Sequence, residues 1–288
     1  MIPIANIIEW REKSPWITTQ QIEKDLILSR ILIELYSDSF LKDHIIFRGG
    51  TALHKLFIIP PGRYSEDIDL VQIKPGPIGP CLKAIRQRLD PWLGEPSWKI
   101  KSGRVVLFYR FSPESPTPRP MRIKIEINTR EHFNHFDLID VEYSFENSWF
   151  SGKESIRTFC LEELLGTKLR ALYQRKKGRD LFDLFIVRDR FPNLNLEKVI
   201  EAFVKYLAYE KKTISRAEFE ANLFEKFNDP AFKADITPLL SEELLPKHDF
   251  AKSAHMVLTH FISQIPGEPG KVDRVVRFGS IVLHFVLA

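Results

Sequence analysis

Cysteine is nearly absent from this chain: two in 288 residues, Cys81 and Cys160. Two thiols cannot build a disulfide framework or a zinc cluster, and unpaired they suit a reducing compartment. No uninterrupted run of twenty apolar residues occurs, so nothing reads as a transmembrane helix and no membrane partner is expected. The opening MIPIANIIEWREK reaches Trp10, Arg11 and Glu12 before a signal-peptide core can form, which makes the cytoplasm the expected location. The excess of one sign of charge over the other is small as well. A formal net charge of +4 permits a polyanionic partner without requiring one. What is plentiful is apolar: 44% hydrophobic and 12% aromatic residues suffice for a folded core, in one large domain or two smaller ones.

The pattern changes once along the chain. TTQQIEKDLILSRILIELYSD has capping-box spacing at Thr18 and Gln21 and helical periodicity behind it, predicting a helix over about 19 to 37. HIIFRGG followed by TALHKLF reads as strand, tight turn and helix, with Thr51 as a competent N-cap. SEDIDLVQI alternates with period two and reads as a second strand. CLKAIRQRLDPWL reads as a helix ended by Pro91 and Gly94. RVVLFYRF and MRIKIEIN read as strands joined by an exposed proline-rich loop, SPESPTPRP. From LEELLGTKLR onward helical signals dominate, and the apolar tail SIVLHFVLA reads as a packed terminal element. The expectation is an α/β (α+β) lobe over 1–150 with a mixed sheet, then a mainly helical lobe over 151–288.

Phosphoryl and nucleotidyl transfer need a backbone N–H cradle for a triphosphate and carboxylates that hold a divalent metal. Gly49 and Gly50 at the strand-to-helix turn fit the first requirement, although such a pair taken alone more often just makes a tight turn with a threonine cap. Asp67 and Asp69, two apart in a strand, point the same way with roughly 6 to 7 Å between them. Like charges so placed ask for a cation, and hard oxygen donors select magnesium or manganese; a solvated strand face is the plain alternative. In RIKIEIN, Lys124, Glu126 and Asn128 share one face, so Glu126 is the candidate third carboxylate and a candidate base, a charged outer sheet face with Lys124 and Glu126 in solvent being the plain alternative. Lys168, between Leu164 and Leu172 on a predicted helix, reads as a half-buried lysine able to reach a phosphate. Asp180 and Asp183 open the next helix, where Asp180 reads either as a site residue or as an N-terminal cap. The run Arg170, Arg175, Lys176, Lys177 and Arg179 is either a solvated turn or a contact for an anionic acceptor.

Together FRGGTALHKLF, RYSEDIDL, KIEIN and KLRALYQRKKGRDLFDLF resemble the AbiEii family of nucleotidyltransferase-like toxins, which includes the mycobacterial MenT enzymes. The likeness runs from about residue 19, where IEKDLIL fits the family's opening helix, to about 190. It implies a polymerase-β-like nucleotidyltransferase lobe joined to a helical lobe that contributes a lysine and an aspartate, with the active site in the groove between them. It also implies the toxin of a toxin–antitoxin or abortive-infection system, encoded beside an antitoxin, using a nucleoside triphosphate and magnesium. Carried over residue by residue, Gly50 and Thr51 fall on the nucleotide-binding motif, Asp67 and Asp69 on the metal pair, and Lys168 and Asp180 on the later motifs. Glu126 as third metal carboxylate follows by analogy with the wider superfamily. Gly49, Lys55, Ser65 and Lys168 complete the expected nucleotide-binding set, and Tyr64 stands where phenylalanine is commoner. Some family members extend the 3′ end of tRNA, which makes tRNA the leading expected acceptor. Two other readings stay open: nucleotidyl transfer to a protein or small molecule, and a nucleotide-binding module without catalysis.

Overall fold

The computed structural model describes residues 2–101, 103–113 and 120–270, and the backbone of two strands over 274–278 and 281–285. The chain divides into two compact units, residues 1–160 with 241–243, and residues 161–240 with 244–288.

The first unit begins with α1 (Ile4–Arg11), α2 (Thr19–Tyr36) and α3 (Ser39–His44). The capping box of α2 forms as its spacing predicts: the Gln21 amide donates to Thr18 Oγ1 at 3.2 Å and the Thr18 amide to Gln21 Oε1 at 3.1 Å. Leu26, Leu28, Ile31, Leu32 and Leu35 of α2 are fully buried, each worth roughly 1.5–3 kcal/mol of transfer free energy, so this helix is a spine of the core. Then follow β1 (Ile45–Arg48), α4 (Gly49–Ala52) with a π-helical turn directly behind it (Leu53–Phe57), β2 (Asp67–Gln72) and α5 (Gly79–Leu93). Pro91 lies inside α5 rather than ending it; Gly94, with φ +77°, closes the helix, its amide bonded to the Asp90 carbonyl.

Five more strands complete this unit: β3 (Ser97–Lys101), β4 (Arg104–Phe111), β5 (Met121–Asn128), β6 (Ile139–Asn147) and β7 (Phe150–Thr158). Strands β4 and β5 pair antiparallel as expected, while residues 114–119 of their proline-rich connection lie outside the described residues. The seven strands form one mixed sheet in the order β3-β4-β5-β2-β1-β7-β6, with β2 parallel to β5 and β1 parallel to β7. Alternation in β5 buries Ile123, Ile125 and Ile127 completely and leaves Lys124, Glu126 and Asn128 on the opposite face. Strand β7 moves the end of the lobe from the expected 150 to 160, because it pairs with β6 along its whole length and touches β1 at Phe47 and Thr158.

The second unit holds α6 (Leu161–Gln174), α7 (Gly178–Arg190), α8 (Leu196–Tyr209), α9 (Arg216–Phe227), α10 (Pro230–Ala234) and α11 (Phe250–His260). Asn195, Ser215, Asp229 and Asp249 cap four of these helices with side-chain oxygens. Its core is aromatic: Phe219 meets the rings of Tyr173 and Phe203, and Phe227 meets those of Phe232 and Phe250, with centroids 5.3 to 6.4 Å apart. At Gly166 a β-carbon would lie 2.6 Å from Ala202 Cβ, so only glycine lets α6 and α8 approach so closely. Strands β8 (Arg274–Phe278) and β9 (Ile281–Phe285) pair antiparallel; the packing expected of the tail's side chains lies outside the described residues. No helix among the described residues is long and apolar enough to cross a membrane.

Candidate active site

The turn from β1 into α4 is built for close approach. Gly49 has φ +83°, a conformation that costs an L side chain dearly, and a β-carbon there would lie 2.4 Å from Asp69 Oδ2. A β-carbon on Gly50 would come 2.3 Å from an Arg63 guanidinium nitrogen and 3.1 Å from Ser65 Oγ. Gly49 is demanded by its backbone conformation, whereas a side chain at Gly50 would have to displace the Arg63 guanidinium. Thr51 is not a cap, because the helix already starts at Gly49. Its hydroxyl donates to the Asp67 carbonyl at 2.5 Å and lies 2.8 Å from Ser65 Oγ, tying the turn to the start of β2. Tyr64 is buried with its ring edge-on to Trp16 at 5.5 Å, a place a phenylalanine would also fill.

Strand register assembles the charged group. Asp67 stands opposite Lys124 and Asp69 opposite Glu126, and residues opposed across a ladder share a face. Lys124 Nζ lies 2.7 Å from Asp67 Oδ2 and 3.5 Å from Glu126 Oε2, and Arg104 Nη1 donates to Glu126 Oε1 at 3.0 Å. Burial pushes the Asp67 carboxyl upward against the pull of the Lys124 ammonium. For Lys124, burial works against the charged form but is outweighed by Asp67, Asp69 and Glu126, which raise its pKa. The compensating cation that the aspartate pair calls for is thus supplied here by Lys124. Among the described residues no three or more His, Cys, Asp or Glu side chains are gathered to hold a metal, so the expected triad with Glu126 is not assembled. The physical reason is local, since Glu126 is engaged by Arg104 and Lys124.

Lys55 is placed elsewhere. Its ammonium donates to Asp25 Oδ1 at 2.8 Å and Ser29 Oγ at 3.0 Å, within a polar network where Trp10 Nε1 also donates to Asp25 and the Tyr143 hydroxyl to Ser29. Burial disfavours the charged Lys55, but Asp25 overrides it and holds the pKa above the ordinary lysine value. Lys55 so anchors the turn behind the two glycines to α2.

In the second unit, Lys168 is more deeply buried than the sequence suggests, with 6% of the residue exposed. Its ammonium sits 3.3 Å from Asp180 Oδ1 and 2.7 Å from Asp183 Oδ2. Asp180 is not a helix cap: it also receives both Arg175 Nε and Nη2, at 2.6 and 2.7 Å. The basic run is likewise occupied by acids, Arg170 with Glu210, Lys176 with Asp229, and Lys177 with Asp235. Sequence reasoning missed Arg63, although RYSEDIDL displays it two residues before Ser65, and it missed the tie between Lys124 and Asp67, which only register reveals.

The family described as nucleotidyl transferase AbiEii toxin, Type IV TA system, matches residues 30–254. The fold is similar to that of MenT4, a nucleotidyltransferase toxin from Mycobacterium tuberculosis (TM-score 0.53, 13% identity, covering 89% of this chain and 99% of that one). It is similar also to JHP933 from Helicobacter pylori (TM-score 0.52, 16% identity, covering 85% and 91%). No curated relative matches the sequence. With the match spanning well over half of its length, the chain belongs to the AbiEii family of nucleotidyltransferase toxins of type IV toxin–antitoxin systems.

Proposed function

We propose that this protein transfers a nucleoside monophosphate from a nucleoside triphosphate to the 3′ end of an RNA acceptor, tRNA foremost, acting in the cytoplasm as a toxin whose antitoxin is encoded nearby. In the transfer the acceptor's 3′ oxygen bonds to the α-phosphorus, the bond to the β-phosphate bridging oxygen breaks, pyrophosphate leaves and the hydroxyl proton passes to a base. The observation that carries the reading is Asp67 and Asp69 on one sheet face, with Gly49 packed against the Asp69 carboxylate. These two carboxylates are the residues that would hold a magnesium or manganese ion, since their donors are hard oxygens. Such an ion would offset the negative charge of the triphosphate oxygens during transfer.

The chain's own residues do the rest. The Gly49–Gly50 turn brings backbone close to phosphate oxygens, and Thr51 and Ser65 fix that turn against β2. Lys124 balances Asp67. Lys168 and Asp180 act in this reading as positioning residues, since each is already satisfied inside the helical unit.

The test is incubation with each labelled triphosphate, magnesium and total tRNA, followed by a denaturing gel. Label on RNA that disappears with Asp69→Ala supports the reading and identifies the nucleotide. Label on protein transfers the assignment to a protein acceptor, and absence of label together with absence of metal-dependent triphosphate binding defeats it.

A further inference from the structure

The ladders carry the aspartate face further than the aspartates. Lys124 and Glu126 oppose Phe108 and Val106 on β4, which in turn oppose Ser97 and Lys99 on β3. The neighbouring pairs continue the same face: Arg104 opposes both Asn128 and Lys101, and Arg110 opposes Arg122. One surface therefore runs from Asp67 and Asp69 to the outer edge of the sheet, and β3 and β4 contain no carboxylate at all. Lys99, Lys101, Arg104, Arg110 and Arg122 are all exposed on it. Among the described residues neither Lys99 nor Lys101 takes part in an ion pair, Arg110 donates only to Ser97 Oγ at 3.3 Å, and Arg122 lies over the ring of Phe108, 5.3 Å from its centroid.

We infer that this β3–β4–β5 face binds the backbone of a single-stranded nucleic acid and leads its end toward Asp67 and Asp69. Cations beside an aromatic ring on an open sheet suit phosphates flanked by stackable bases, and the contact is independent of sequence. An acidic protein segment would satisfy the lysines but would leave unexplained the ring-and-guanidinium pair and the continuity with the acid pair. A second copy pairing along β3 would bring lysines against lysines. The inference rests on the RNA-acceptor reading above and assigns to this face the role first expected of Lys176 and Lys177, whose charges are paired within their own unit.

The test uses the full chain and a short labelled oligouridine with a free 3′ end, read by fluorescence anisotropy across a salt series. Lys99→Glu with Lys101→Glu, and independently Arg110→Glu with Arg122→Glu, are expected to weaken binding on the order of tenfold and to flatten the salt dependence by about two ions each. Lys176→Gln with Lys177→Gln is expected to change it by less than about twofold, paired charges contributing little to phosphate contact. All the substituted side chains are exposed, and circular dichroism checks the fold. Unchanged affinity in both charge-reversed variants overturns the inference, as does a wild-type chain that binds no oligouridine at low salt. Stronger binding of polyglutamate than of oligouridine overturns it in favour of an acidic protein. Metal-dependent triphosphate binding that Asp69→Ala abolishes, measured separately, reports on the nucleotidyltransferase reading itself, so the two can fail independently.

Discussion

Each unit of this protein places a lysine between two carboxylates, and the two clusters do opposite things. In the helical unit Lys168 lies between Asp180 and Asp183, with side-chain exposures of 7%, 0% and 0%. In the sheet unit Lys124 lies between Asp67 and Glu126, at 29%, 37% and 25%. Water decides the difference. A buried charge that loses its partner leaves the other uncompensated in a low dielectric, so the Lys168 cluster is a fixed joint between α6 and α7. A half-exposed pair is screened and exchanges partners at small cost, so the Lys124 cluster holds its members less firmly than the Lys168 cluster does.

The largest effect expected from breaking this contrast is on activity. Asp69→Ala is expected to lower nucleotidyl transfer by at least about a hundredfold with an unchanged melting temperature, read from labelled product and calorimetry; full activity would remove Asp69 from the site. Next comes stability. Lys168→Met should cost about 3–5 kcal/mol in urea unfolding, because it takes the ammonium away from two buried carboxylates, one of which, Asp180, also holds Arg175. A loss below about 1 kcal/mol would mean the cluster is not a joint.

Acid sharpens the comparison by sign. Burial works against the charged Asp180, yet Lys168 and Arg175 hold its carboxyl below the ordinary aspartate range. Its stabilisation is therefore complete at neutral pH and lost as pH falls below about 3.9 and on through the lowered folded value. Asp67 is shifted the other way, so it takes up its proton above that range and its protonation favours the folded state as pH drops. Hydrogen exchange followed from pH 7 to pH 3 should show α6 and α7 losing protection before β2 and β5; the reverse order would contradict the assignment. The smallest effect is expected from Lys124→Met, a stability change within about 1 kcal/mol, since its pair is partly solvated.

How far the sequence could be read follows from the range of each signal. The capping box of α2, the alternation of β2 and β5 and the Gly49–Gly50 turn are local, and they stand where their spacing puts them. Strands β6 and β7 escaped notice because they bury few large apolar side chains, chiefly Phe145 and Ile156, and because the charges of β7, at Lys153, Glu154 and Arg157, do not alternate; pairing makes them strands. Thr51 misled because a threonine after two glycines has the chemistry of a cap whether or not the helix has already begun. The ion pairs of the basic run were out of reach of sequence for a similar reason, since its partners Asp229, Asp235 and Glu210 are distant along the chain.

By itself the sequence determined which residues carry charge, which alternate and, at the capping box of α2, where a helix begins, because those properties depend on neighbours within a turn or a pleat. It determined also the order of the motifs that mark the family. Only the tertiary structure decided which charges are spent and which are open to a ligand. That depends on strand register and burial, through which Asp67 meets Lys124, Asp69 meets Glu126 and Lys168 disappears between two aspartates. Electrostatic meaning is set by distance and dielectric, and neither is written in a linear order of residues.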